Sequence, residues 1–149
     1  MTRLNNEVLI EATPEKVWQV LTDLESLEQY DPVVNKSVTI SALRTGLGAE
    51  RQCDVNPKGW FKERVTQWEP HRALAFELFE CTLPIKSLRH SYTIVNVNGA
   101  TRVRQVMEYQ MKFGIFGSLM DLLMVRKKWD DGIKKFFMGL KQYIEAPAK

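Results

Sequence analysis

The last third of the chain constrains its fold most. Plotted at 100° per residue, Leu119, Leu122, Val125, Trp129, Ile133, Phe136, Phe137, Leu140 and Ile144 fall within one arc of about 120°, the signature of an amphipathic helix. At about 1.5 Å per residue, the stretch 116–145 makes a rod of about 45 Å, and its stripe must lie on an apolar surface of comparable length. Asp130 with Lys134 and Asp131 with Lys135 are acid-before-base pairs that solvate the outer side. Gly132 and Gly139 fall beside the stripe, where each costs about 1 kcal/mol against alanine. A close approach of the helix to its support, or room for a ligand between them, is expected to offset that cost.

The rest of the chain reads as that support. Leu4, Val8, Ile10 and Ala12 share one parity and Glu7 and Glu11 the other, the alternation of a half-buried strand over 4–12. Thr13-Pro14-Glu15-Lys16 then provides an N-cap hydroxyl, a proline at the first helical position and an early carboxylate. Val17, Trp18 and Leu21 face inward on this short helix, and Asp23 caps a second one that runs to about Gln29, before Asp31-Pro32. From Val33 onward short strands follow at 33–42, 48–55, 60–68, 73–81, 88–97 and 101–111. They are separated by Arg44 to Leu47, Asn56-Pro57-Lys58-Gly59, Glu69-Pro70-His71-Arg72, Leu83-Pro84-Ile85-Lys86 and Asn98-Gly99. Such connections favour hairpins and therefore a meander. The expectation is an α+β fold: a curved antiparallel sheet of about seven strands wrapped around a long C-terminal helix, with two short helices after the first strand.

A chain of 149 residues with 44% hydrophobic and 26% charged side chains suits one globular, soluble domain spanning 1–149. Its longest uncharged apolar stretch, Phe113 to Met120, is eight residues long and carries two glycines, whereas a membrane span needs about 20. The beginning, Met1-Thr2-Arg3-Leu4-Asn5-Asn6-Glu7, is too polar for a secretory leader, so a cytoplasmic location without integral membrane association is expected. Cys53 and Cys81 lie in strand-like stretches and read as structural thiols. The net charge of +3 divides into −5 over residues 1–31 and +8 over the rest, but the basic residues are scattered and match no nucleic-acid recognition motif.

The chain resembles the START-like superfamily, also called SRPBCC or helix-grip proteins, and within it the polyketide cyclase/dehydrase and lipid-transport group. The resemblance rests on Ala12-Thr13-Pro14-Glu15-Lys16-Val17-Trp18-Gln19-Val20-Leu21-Thr22-Asp23, on Glu63-Arg64-Val65-Thr66-Gln67-Trp68-Glu69-Pro70, and on Gly99-Ala100-Thr101-Arg102-Val103 leading to the final helix. It spans about residues 4–146 and departs at Tyr30, where relatives often carry tryptophan. It implies the helix-grip fold and a cavity for a hydrophobic ligand between sheet and helix, and it calls for no cofactor. The order and spacing of these segments are specific for the fold and poorly specific for function, because the superfamily includes enzymes, carriers and receptors.

The motif inventory narrows the chemistry. No nucleophile elbow, H-E-x-x-H or P-loop is present, and Gly46-Leu47-Gly48 lacks a third glycine because Arg51 takes its place. Two histidines and two cysteines on four separate segments predict no metal site. Strand parity singles out polar residues on apolar faces, which are either satisfied in the core or touch a ligand. By that test Glu63 goes with Phe61 and Val65, His90 with Leu88, Tyr92 and Ile94, and Gln105 and Tyr109 with Val103, Met107 and Met111. Arg126 is the one charge inside the helical arc, requiring a partner such as Asp130 or an exit past the helix edge. Met107, Met111, Met120, Met124 and Met138 cluster in the last strand and helix, where thioethers suit variable apolar partners and ordinary core filling alike. The candidate ligand-binding set is Glu63, Phe76, His90, Tyr92, Gln105, Met107, Tyr109, Met120, Arg126, Trp129 and Ile133.

Hydrophobic ligand binding leads: a lipid, polyketide, quinone or aromatic metabolite held between sheet and helix. The alternative is a cofactor-independent cyclase/dehydrase, with Glu63 or His90 as base and Tyr92 or Arg126 holding the oxyanion. A third reading is an interaction module whose pocket has closed.

Overall fold

The structure is a computed structural model that describes residues 1–147. Strand β1 (Thr2–Ile10) is followed by helix α1 (Pro14–Leu21), a single 3-10 turn (Leu27–Gln29), and strands β2 (Val34–Thr39), β3 (Glu50–Val55), β4 (Trp60–Glu69), β5 (Ala73–Cys81), β6 (Ile85–Val97) and β7 (Ala100–Met111). The sheet order β1-β7-β6-β5-β4-β3-β2 is antiparallel throughout, so β2 to β7 form the meander that the turn residues predict. Asn98 and Gly99 both adopt positive φ, the geometry a tight β6–β7 hairpin needs. Thr13 caps α1 by accepting a hydrogen bond from the Lys16 amide, and Pro14 opens the helix. The second short helix is reduced to the 3-10 turn before Asp31-Pro32.

The C-terminal helix comes in three parts: α2 (Gly114–Met120), a π turn (Asp121–Val125) and α3 (Arg126–Glu145), with helical backbone angles maintained across both junctions. Ile133, Phe136, Phe137, Leu140 and Ile144 are buried on α3, as the arc predicts. Leu119 and Leu122 are not: both face solvent, and Gly117 and Asp121 take the inward positions. The π turn is the physical reason. It accommodates an additional residue and rotates everything before it by roughly a quarter of a turn relative to α3.

The core fills the concave side of the sheet. Val17, Trp18 and Leu21 of α1 and the buried face of α3 pack with Cys53, Val65, Leu74, Phe76, Tyr92, Ile94, Val103 and Tyr109. Gly139 lets α3 touch the segment after the 3-10 turn, since a Cβ there would lie 1.9 Å from the Tyr30 carbonyl oxygen. Gly132 shows no such approach: an added Cβ would meet the Val33 side chain at an ordinary 3.8 Å. Cys53 and Cys81 are both free thiols, and burial pushes that of Cys53 up to about 12.

Candidate functional site

A row of polar side chains crosses the inner face of five strands. Arg51 on β3 stands opposite Glu63 on β4, and the guanidinium donates to Glu63 Oε1 through Nε and Nη2, each at 2.7 Å. A bulge at Lys62/Glu63 breaks the β4–β5 register there, a device that re-aims side chains. Glu63 Oε2 accepts from His90 Nε2 at 2.6 Å, across the intervening strand β5. His90 Nδ1 lies 3.0 Å from the Tyr92 hydroxyl, which in turn accepts from the Gln105 amide at 2.9 Å. Arg51, Glu63, His90, Tyr92 and Gln105 are all buried.

Donor logic gives this row a direction. A carboxylate only accepts, so His90 presents Nε2–H to Glu63, while its Nδ1 faces the Tyr92 hydroxyl, whose oxygen accepts from Gln105. Arg51 is cationic and Glu63 anionic, and their charges offset each other across the β3–β4 pair. Burial pushes the Glu63 carboxyl up, but His90 and Arg51 beside it outweigh burial and hold it at about 2. Burial drives the Tyr92 phenol well above its ordinary range. The Gln105 carbonyl oxygen Oε1 is buried without a hydrogen-bond partner.

Aromatic rings enclose the row. Phe76 stacks on His90 with centroids 5.1 Å apart and receives the Arg51 guanidinium on its face at 4.4 Å. Phe136 of α3 meets Tyr92 at 6.1 Å and Tyr30 at 5.8 Å. Tyr30 and Asp31 also line an open cleft of about 420 Å³ together with Lys135, Met138, Gly139 and Gln142 of α3. Burial raises the Asp31 carboxyl to about 6. Tyr30 therefore stands between the cleft and the Phe136 end of the enclosed row.

The predicted site residues thus separate into groups. Glu63, Phe76, His90, Tyr92 and Gln105 come together, and half-buried Met107 lies opposite His90 in the sheet. Tyr109 lies four residues beyond Gln105, about 13 Å along β7, and belongs to a second cluster. Its hydroxyl donates to Asp121, its ring meets Trp129 at 4.6 Å, and Asp121 also accepts from Thr2 and, at 3.1 Å, from Arg126. Burial pushes the Asp121 carboxyl up, but those hydrogen bonds outweigh it and hold it below the usual range. Arg126 is half-exposed at the helix edge with Asp121 as its partner, while Asp130 pairs with Lys134 and accepts from Asn6. Ile133 is buried against the core, and Met120 points to solvent. Arg51, Tyr30 and Asp121 are absent from the predicted set. Arg51 carried a readable signal, since it shares strand parity with buried Cys53 and Val55. Among the described residues, no group of three His, Cys, Asp or Glu side chains is placed to hold a metal.

A seven-stranded antiparallel sheet gripping a C-terminal helix, with α1 and a 3-10 turn after the first strand, is the START-like helix-grip architecture. The chain belongs to the polyketide cyclase/dehydrase and lipid transport family, which it matches over residues 1–145. An uncharacterized protein of Mycobacterium tuberculosis is 24% identical over 143 residues, covering 95% of this chain and 83% of that protein. Among solved structures, a Thermus thermophilus protein superposes with a TM-score of 0.84 at 22% identity, covering 99% of this chain and 100% of its own. A START superfamily protein from Mycobacterium smegmatis gives 0.80 at 16%, covering 96% and 97%. At these identities the structural likeness establishes the fold.

Proposed function

We propose that the protein binds a hydrophobic small molecule between the concave face of the sheet and α3, with the polar end of the ligand at the Tyr92–Gln105 end of the buried row. The observation that carries this reading is the Gln105 Oε1 acceptor, buried beside Tyr92 with nothing to accept. An unfilled buried acceptor costs about 1–3 kcal/mol, and an apolar residue would serve the fold better. A ligand hydroxyl or N–H would supply the missing donor. The open cleft at Tyr30 and Asp31 offers the route inward once the Tyr30 and Phe136 rings part.

The geometry favours binding over cyclase/dehydrase chemistry. Both Glu63 oxygens and both His90 nitrogens are already engaged, and a carboxylate held at about 2 is a feeble base near neutral pH. Titration with a fluorescent apolar probe tests the reading. Saturation at one site and displacement by a long-chain alcohol are expected, and in Gln105→Leu the preference for the alcohol over the matching alkane should fall by about five- to tenfold, the worth of one hydrogen bond. Absence of saturable binding by the folded protein would favour the closed-pocket interaction module instead.

A further inference from the structure

Between Phe113 and Met124 the chain turns a nearly continuous apolar surface to solvent. Phe113, Ile115 and Phe116 are 72, 87 and 77% exposed, and Leu119, Met120, Leu122, Leu123 and Met124 are all exposed. Single exposed leucines are ordinary, but eight large apolar side chains within twelve residues make a patch of the kind held against something else. The fold makes no use of it, because the inward side of this segment is supplied by Gly117 and Asp121.

The border of the patch is basic. Lys112 precedes it and Arg126, Lys127 and Lys128 follow it, all exposed. Lys86 and Lys112 also line an open cleft of about 530 Å³ beside Phe113 and Ile115. The single acidic side chain between residues 112 and 129 is Asp121, which is buried and already bonded to Thr2, Tyr109 and Arg126. We propose that α2 and the π turn form a docking surface for an anionic phospholipid bilayer, with the Phe113–Met124 side chains in the headgroup–acyl boundary and Lys112, Arg126, Lys127 and Lys128 at the level of the phosphates. A helix lying in the interface in this way sinks its apolar face about 5–10 Å and gains from each nearby lipid charge. Among the described residues no helix is long and apolar enough to cross a membrane, so the contact is peripheral. A second copy of the chain fits less well, because a two-fold contact would bring the basic border against its own image. The docking surface requires no internal cavity and stands independently of ligand binding.

Flotation of the full chain with vesicles tests this. It should float with phosphatidylcholine vesicles containing phosphatidylglycerol, do so weakly with phosphatidylcholine alone, and be released as salt is raised. Phe116→Ser combined with Leu123→Ser, at exposed positions that leave the circular dichroism spectrum unchanged, should weaken binding at least about tenfold. Lys127→Gln with Lys128→Gln should weaken it about thirtyfold on the anionic vesicles, at about 1 kcal/mol per lysine charge removed. No flotation with either composition, or flotation that both double variants leave intact, overturns the proposal. So does a dimer in sedimentation equilibrium that Phe116→Ser/Leu123→Ser dissolves while vesicles are ignored, which would place a second copy on the patch.

Discussion

Arg51 and Glu63 neutralise each other where water cannot reach either, so losing one partner costs more than the pair contributes to stability. Glu63→Gln should lower the unfolding free energy by about 3–5 kcal/mol by leaving Arg51 charged and unpaired, and Arg51→Met added to it should recover a large part; urea titrations of the two variants check this. The carboxyls of Glu63 and Asp31 act on stability in opposite directions. Glu63 is held at about 2 against an ordinary 4.5, so its contribution is complete above pH 4.5 and disappears as pH falls towards 2. Asp31 is raised to about 6 from 3.8, so its contribution is present below pH 3.8 and is lost as pH rises through 6. Between pH 4 and 6.5, Asp31→Asn should therefore flatten a decline seen in the parent protein; equal slopes in urea midpoint against pH would refute the assignment. Alternation along the strands was enough to mark Glu63, His90 and Gln105 as inward, and it would have marked Arg51 beside Cys53 and Val55. It could not show that Arg51 and Glu63 stand opposite each other, because cross-strand register depends on turns and bulges far from either residue.

At the scale of elements, the two glycines of α3 behave differently although their spacing suggests a shared role. Gly139→Ala should cost about 1–3 kcal/mol, because its methyl meets the Tyr30 carbonyl and the helix must shift. Gly132→Ala has room beside Val33 and should raise stability by up to about 1 kcal/mol through helix propensity. Thermal melts of the pair should move in opposite directions, and a common loss would mean that α3 also sits tightly at Gly132. The phase of α3 was legible because its polar and apolar faces are distinct. That of residues 113–125 was not, since apolar side chains surround the segment and a π turn leaves no mark in a fixed 100° plot. Asp121 was the available clue, the single acid in that run and the side chain that turns inward.

For the molecule as a whole, the meander was readable because five turn segments interrupt the strands at regular intervals, and β1 beside β7 closes the order. Where the long helix would be gripped was less readable, because that depends on contacts between residues more than a hundred positions apart, such as Gly139 with Tyr30. The grip is uneven. Five large side chains bury α3, whereas α2 and the π turn are held mainly by Gly117 and the bonds to Asp121. Hydrogen exchange should therefore be at least about a hundredfold faster at residues 114–125 than at 133–144, the contrast expected of separate local openings; uniform protection would show a helix that opens as one unit. Gly139 against Tyr30 holds one end of the long helix and Asp121, through Thr2 and Tyr109, holds the other, so the rod is pinned like a beam at two points 18 positions apart, about 27 Å along its axis at 1.5 Å per residue.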